Sequence, residues 1–197
     1  DVNPWLIGFY KDVQKRPGEL YALIQRYAGE FDELEQAAKK DFYLTLREKF
    51  NAAEVGLDSS ALFYVLNKLC FNGLYRENSK GAFNVPFGQK KQFPALVETD
   101  FLDASSALDG RLIELSDFEK TVSSAVAGDF VYFDPPYVPL TATASFTSYS
   151  SEGFGLEAQK RLASTMHDLQ ARGVRAMLSN SAAELTAEIY SGLRQET

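Results

Sequence analysis

Cysteine and histidine are almost missing from this 197-residue sequence, which has only Cys70 and His167. One cysteine excludes an internal disulfide and any metal site built on clustered thiolates, and one histidine speaks against a histidine-based zinc centre. No metal is expected. Neither residue has a sequence partner for nucleophilic chemistry, so both are read as structural. Long apolar runs are also absent. None approaches the roughly 20 residues of a bilayer span, and no signal-peptide pattern heads the chain. The expectation is a non-membrane protein of a reducing, cytoplasmic compartment. No internal repeat or low-complexity tract is present, which sets aside repeat architectures. What remains is an ordinary globular composition, with enough apolar residues (45%) for one real core, or a core plus a small insert.

Basic charge is scarce overall, and the formal net charge is -7. Taken as a sum, this argues against a nucleic-acid ligand, but the distribution matters more. Between Asn67 and Gln92 five basic residues (Lys68, Arg76, Lys80, Lys90, Lys91) stand against one acid, Glu77, whereas Glu19 to Asp58 is acidic. A basic segment on an acidic body can face phosphates.

The order of elements points to an α/β protein. Asn3-Pro4 is a helix start, followed by Leu6, Ile7, Phe9, Tyr10 and Val13 at helical spacing. Residues 18–51 read as amphipathic helix, and Asp58-Ser59-Ser60 can cap a further helix running to Leu69. From Asn72-Gly73 to Phe93 the pattern is loop-like, with Arg, Lys and Asn between aromatics. Strands are expected at 111–115, 130–133 and 174–178, and helices at 117–127, 156–172 and 181–190. Residues 141–155 are polar. Strands alternating with helices imply a parallel sheet, whose ligands bind beyond the carboxyl ends of the strands. Asp1, Ser116-Asp117-Phe118, Asp134-Pro135-Pro136-Tyr137 and Ser179-Asn180 would share that edge. The long stretch between Lys15 and Arg111 is read as an insertion. This divides the chain into the start of a core (1–16), an inserted subdomain (17–95) and the rest of the core (96–197).

Asp134-Pro135-Pro136-Tyr137 follows the apolar run Phe130-Val131-Tyr132-Phe133. A carboxylate, two rigid prolines and an aromatic at a strand end can hold a planar ring bearing an amine, with stacking on Tyr137 and amine hydrogens accepted at Asp134. The plainer alternative is a Pro-Pro turn closing the strand, with Tyr137 in the core.

The combination of motifs resembles the Dam-type DNA adenine-N6 methyltransferases, the D12 class. It comprises Asp1-Val2-Asn3-Pro4-Trp5-Leu6-Ile7, Phe71-Asn72-Gly73-Leu74-Tyr75-Arg76, Gly81-Ala82-Phe83-Asn84-Val85-Pro86-Phe87-Gly88, Asp134-Pro135-Pro136-Tyr137, Ala142-Thr143-Ala144-Ser145-Phe146-Thr147 and Leu178-Ser179-Asn180. The resemblance implies a Rossmann-like, S-adenosyl-L-methionine-dependent core with an inserted, mostly helical DNA-recognition subdomain. It also implies departures. The family's Gly-rich Phe-x-Gly-x-Gly loop and its final strands have no counterpart here, so the expectation is an internal fragment with an incomplete core, inactive alone.

Roles follow from the resemblance. Asp134, Pro135, Pro136 and Tyr137 are implied to be catalytic, by positioning and electrostatics on an adenine flipped out of duplex DNA. Asp1, Asp117, Phe118 and Asp134 are implied to hold the cofactor. Asp1 would bind the ribose hydroxyls, and Asp117 and Phe118 the adenine. Phe71, Asn72, Leu74, Arg76, Lys80, Lys90, Lys91 and Ser145 are implied to touch DNA, with Arg76 reading guanine and the lysines meeting phosphates. Phe146 and Tyr149 fall in the same segment as Ser145, which would close over flipped DNA. GATC is the expected site. Each role has a plain alternative: a capping acid for Asp1, a helix-start acid and core ring for Asp117 and Phe118, and solvated loop residues for Arg76 and the lysines. For the whole chain the alternatives are a non-catalytic DNA-binding piece, or a methyltransferase acting on RNA guanine or protein glutamine. The oligomeric state is left open, with a monomer expected. A restriction-modification, phage or housekeeping origin is equally open.

Overall fold

Asn3 starts the first helix as the sequence predicts. In the computed structural model its Oδ1 accepts the amides of Trp5 (2.9 Å) and Leu6 (3.2 Å), and Pro4 takes the first helical position. The described residues are 1–140 and 154–196. They fall into two compact units, Asp1–Leu115 and Ser116–Thr197.

The first unit is helical. Helix α1 (Pro4–Lys15) packs on α4 (Leu57–Leu69) and α5 (Glu98–Leu108), while α2 (Pro17–Asp32) and α3 (Gln36–Asn51) flank α4. Helix α4 is the central element. Ala61, Leu62, Val65, Leu66 and Leu69 are all buried, because its apolar residues cover most of its circumference. Buried polar groups are tied. Asp12 accepts Ser60 Oγ (2.7 Å) and pairs with Arg16. Lys39 Nζ donates to the Phe31 carbonyl (2.6 Å) near the end of α2 and lies over the Phe31 ring. Tyr27 and Lys49 both bond Asp58. Burial alone would raise the Asp58 carboxyl's pKa, but the bonds from Lys49 and Tyr27 bring it below its ordinary value.

The second unit is a mixed α/β layer. Strands β1 (Phe130–Phe133) and β2 (Arg175–Leu178) pair in parallel, with Phe130 opposite Arg175 and Phe133 opposite Leu178. Helix α6 (Phe118–Thr121) precedes β1, α7 (Leu156–Ala171) lies between the strands, and α8 (Glu184–Ile189) follows β2. Leu162, Ala163, Met166 and Leu169 of α7 form the core with Phe133, Val174 and Tyr190.

Several expectations are corrected. Residues 111–115 form no strand. Leu112 is 83% exposed, and no described strand offers a ladder to pair with. The helix expected over 117–127 stops at Thr121, because the hydroxyls of Thr121 and Ser123 bond the carbonyls of Asp117 and Lys120 and turns follow to Asp129. The helix expected from Ser181 starts at Glu184, since Asn180 and Ser181 are engaged elsewhere. Asp58 does not cap α4. Gly56 stands at that position, its amide bonded to Ser59 Oγ (2.9 Å). Helix α5 was not foreseen, although Glu98 and Asp100 in its first turn are a start signal.

Burial raises the pKa of the Cys70 thiol and of the Tyr43, Tyr64 and Tyr75 phenols above their ordinary values. The fold therefore favours their neutral forms. Their contribution to stability is complete below the ordinary thiol and phenol values and is lost as pH rises through the higher folded ones. The urea midpoint is expected to fall as pH rises from about 9 to 11. A midpoint that rises across that window contradicts this assignment.

Candidate functional site

In the second unit the site begins where β1 ends. Asp134 is exposed directly after Phe133, and its Oδ1 accepts Ser179 Oγ (2.5 Å) from the end of the neighbouring strand β2. Tyr132 Oη donates to the same Ser179 oxygen (3.1 Å), and the Ser179 amide continues the ladder to the Phe133 carbonyl (3.1 Å). Among the described residues Asp134 Oδ2 accepts no hydrogen bond, so one carboxylate oxygen is fixed and the other is available. Pro135 is buried and Pro136 exposed, while Tyr137 is 52% exposed.

The loop is held from below by a network the sequence did not reveal. Gln159 of α7 is fully buried, and its Nε2 donates to the Pro136 carbonyl (2.8 Å). Its Oε1 accepts Asn180 Nδ2 (3.2 Å) and Tyr190 Oη (2.5 Å). Asn180 Oδ1 accepts the Val138 amide (2.8 Å), and Ser181 Oγ donates to the Val138 carbonyl. The loop's peptide groups thus have fixed side-chain partners, which holds an irregular segment in one shape.

Asp117 and Phe118 lie beside this strand end. The Phe118 ring meets Phe133 edge-on at 6.5 Å and Phe154 at 5.6 Å. Asp117 Oδ1 accepts the Glu119 amide (3.0 Å) at the start of α6 and Arg161 Nη2 (3.1 Å) from α7. Arg161 also forks onto Glu119 (Nε to Oε1 3.0 Å, Nη2 to Oε2 2.6 Å) and lies 5.1 Å from the Phe118 centroid. The hydrogen bond to Glu119, with the charges of Glu119 and Asp117, raises the Arg161 pKa further above its ordinary value. A large concavity of about 960 Å³ in this unit is lined by Met177, Ala183 and Tyr190 among others, and includes none of Asp117, Phe118 or Asp134.

In the first unit Phe71, Asn72, Leu74, Arg76 and Lys80 lie on one irregular antiparallel ribbon, and Lys90 and Lys91 follow its second limb. The ribbon's ends are joined by the Cys70–Phe87 and Glu77–Phe83 bridges and by the Asn84 amide bonding the Arg76 carbonyl (3.0 Å). The tip is the turn Asn78–Gly81, where Asn78 Oδ1 accepts the amides of Lys80 and Ala82. Side chains alternate along the first limb: Leu74 and Arg76 are exposed, while Tyr75 and Glu77 are half-buried and hydrogen-bonded to each other. Phe71 (52%) and Leu74 (50%) are exposed on either side of Asn72 and Gly73, both at positive φ. Asn84 orients Arg76, accepting Nε at its Oδ1 (2.8 Å) and Nη2 at its carbonyl (3.4 Å). Lys80, Lys90 and Lys91 are exposed. The ribbon rests on one face of α3, where Tyr43 and Arg47 bond the Val85 carbonyl and Asn51 bonds both polar groups of Phe83. Asp1, in the same unit, is exposed, and its Oδ1 accepts the Asn3 amide (2.7 Å).

Ser145, with Phe146 and Tyr149, lies outside the described residues. Gln159, Asn84 and Arg161 were missed, as were the α3 contacts. For α3 the spacing of Tyr43, Arg47 and Asn51 is the one signal that could have marked a shared face. Among the described residues no helix is long and apolar enough to cross a membrane, and no group of three or more His, Cys, Asp or Glu could hold a metal ion.

Replacing Gln159 with Leu keeps the bulk but leaves the Pro136 carbonyl, the Asn180 amide and the Tyr190 hydroxyl without this partner. A stability loss of roughly 1–3 kcal/mol is expected by urea denaturation. Unchanged stability means the loop is held by something else.

Comparison with known proteins follows the same lines. The chain is 39% identical over 197 residues to a type II methyltransferase of Lactococcus lactis subsp. cremoris, covering 96% of this chain and 66% of that protein. It is 39% identical to a type II methyltransferase of Methanocaldococcus jannaschii, covering 98% of this chain and 68% of that one. A DNA adenine methylase of Serratia marcescens is 36% identical, with 96% of this chain and 68% of that protein covered. The chain thus spans about two thirds of the length of these relatives. A family model matches residues 1–196, and the chain belongs to the D12 class N6 adenine-specific DNA methyltransferases.

Proposed function

We propose that the protein moves a methyl group from S-adenosyl-L-methionine to N6 of an adenine flipped out of duplex DNA, within GATC. The observation that carries this is an exposed carboxylate, Asp134, with one oxygen fixed and one available, on a pinned Pro-Pro loop in a chain of this family. In this reading the parallel strands belong to a Rossmann-like core, residues 1–16 and 96–197. Residues 17–95 are its inserted recognition subdomain.

The exocyclic amine of adenine is a poor nucleophile, because its lone pair is delocalised into the ring. Asp134 Oδ2 and the Pro135 carbonyl accept the two amine hydrogens, which favours a pyramidal nitrogen with a localised lone pair. Tyr137, half exposed, stacks on the base. When bound, S-adenosylmethionine supplies an electrophilic methyl on sulfur. Asp1 would hold its ribose hydroxyls, and Asp117 and Phe118 its adenine. The available acceptor Asp117 Oδ2 beside an aromatic ring suits a planar amine-bearing base.

On the DNA side, Arg76 reads a guanine. Its Nε is taken by Asn84 and one Nη2 hydrogen points to the Asn84 carbonyl, which leaves Nη1 and the second Nη2 hydrogen for a bidentate contact. Phe71, Asn72 and Leu74 enter the space left by the displaced base, and Lys80, Lys90, Lys91 and Ser145 meet the backbone. The choice of GATC rests on the resemblance of residues 71–88 to members reading that site.

Two measurements test this on the full-length protein. Labelled methyl should pass to adenine in a GATC duplex, and Asp134→Ala should abolish transfer while cofactor binding is retained in part. Transfer that survives the change removes Asp134 from the chemistry. Arg76→Ala should cost roughly 1–3 kcal/mol of discrimination at one base pair of the site. Site preference identical to the parent rejects Arg76 as a base reader.

A further inference from the structure

We propose that Arg161 is a positioning residue of the cofactor's adenine subsite, setting its preference for an amino group at the 6-position. The proposal rests on the reading of Asp117 and Phe118 as that subsite and adds a residue from a distant helix. The two residues are consecutive, and an aspartate at a helix start is free to turn either oxygen toward solvent. Arg161 removes that freedom. Its guanidinium is fixed first by the two-pronged contact with Glu119, both oxygens engaged at 3.0 and 2.6 Å. A guanidinium held by such a fork has a defined plane. The Nη2 that completes the fork also reaches Asp117 Oδ1 (3.1 Å), which the Glu119 amide approaches from the backbone side (3.0 Å). Two donors on one oxygen orient the carboxylate. Among the described residues the other oxygen, Oδ2, has no donor and is left to accept an N–H from a base. The same guanidinium lies over Phe118, 5.1 Å from its centroid, and so fixes the ring beside the acid. One side chain therefore orients both groups.

The arrangement also has an electrostatic role. Asp117 just before α6 and Glu119 in its first turn place two carboxylates close together, and one cation pairs with both. Without it, their repulsion would drive the Asp117 carboxylate away from Glu119 and toward water. An oriented acceptor discriminates. A 6-amino group donates to it, whereas a 6-oxo group sets acceptor against acceptor.

The test uses the full-length protein, with S-adenosylhomocysteine and its hypoxanthine analogue, S-inosylhomocysteine, as probes in calorimetric titrations. Arg161→Met should reduce the preference for adenine over hypoxanthine by about tenfold, the scale of one lost charge-assisted hydrogen bond. Arg161→Lys should restore part of it. Thermal unfolding of each variant, followed alongside, separates loss of fold from loss of preference, and Glu119→Gln, which loosens the fork, gives a smaller loss in the same direction. Asp117→Asn distinguishes the two readings. If it lowers the preference and Arg161→Met does not, the role given to Arg161 is overturned and the subsite stands. If Asp117→Asn leaves the preference intact, the subsite reading fails and takes the proposal with it. Tighter binding of S-adenosylhomocysteine by Arg161→Met also overturns the proposal, since the guanidinium would then be standing in the adenine's place.

Discussion

The buried carboxamide of Gln159 is the constraint on which the second unit's site depends. A loop of two prolines after a four-residue strand has little regular hydrogen bonding of its own. Left to itself it would sample several shapes. Gln159 has a donor and an acceptor on one planar group and uses both. It bonds the Pro136 carbonyl on one side, and Asn180 and Tyr190 on the other. A buried amide with unmet polar atoms would be costly, so each bond of the network favours the others being made. The strand ends, the loop and helix α7 consequently hold one arrangement, with Asp134 set at the rim.

The first unit solves a similar problem by a different route. Its ribbon is too irregular to stand as a sheet, and among the described residues two isolated bridges link its limbs. Helix α3 supplies the missing partners in a row one turn apart: Tyr43, Arg47 and Asn51. An aromatic cluster continues below, with Phe83 against Phe50 and Tyr75, and Phe50 against Trp5. The ribbon can then keep Phe71, Leu74 and Arg76 exposed, because its inward residues do the anchoring.

Local signals in the sequence were legible, and distant ones were not. The Asn3-Pro4 cap and the helix following Gly155 depend on neighbours within a few residues, and each formed where its pattern indicated; the strand 130–133 formed too, because its apolar pattern met a partner in β2. Asp134 at a strand end was legible for the same reason. The strand expected at 111–115 failed because an extended pattern becomes a strand only when another strand lies alongside. The helix after Asp117 was cut short by hydroxyl side chains that compete for its carbonyls. Gln159 and Arg161 gave no warning at all. They sit two residues apart on an unremarkable amphipathic helix, yet one faces the core and the other two carboxylates. That difference follows from where α7 lands on the sheet, which no short window of sequence contains.

The two prolines have a consequence beyond rigidity. Each removes a backbone N–H, so the peptide units joining Asp134 to Pro136 offer carbonyls and no donor. With a carboxylate at its head, this stretch of chain is a surface of lone pairs. In the proposed reading such a surface would sort ring systems by the polarity of one substituent: an amino group would find acceptors, while a keto oxygen would meet like lone pairs. Selectivity of that kind needs no shape change and no moving part. In that reading the filter would be made from what the backbone leaves out.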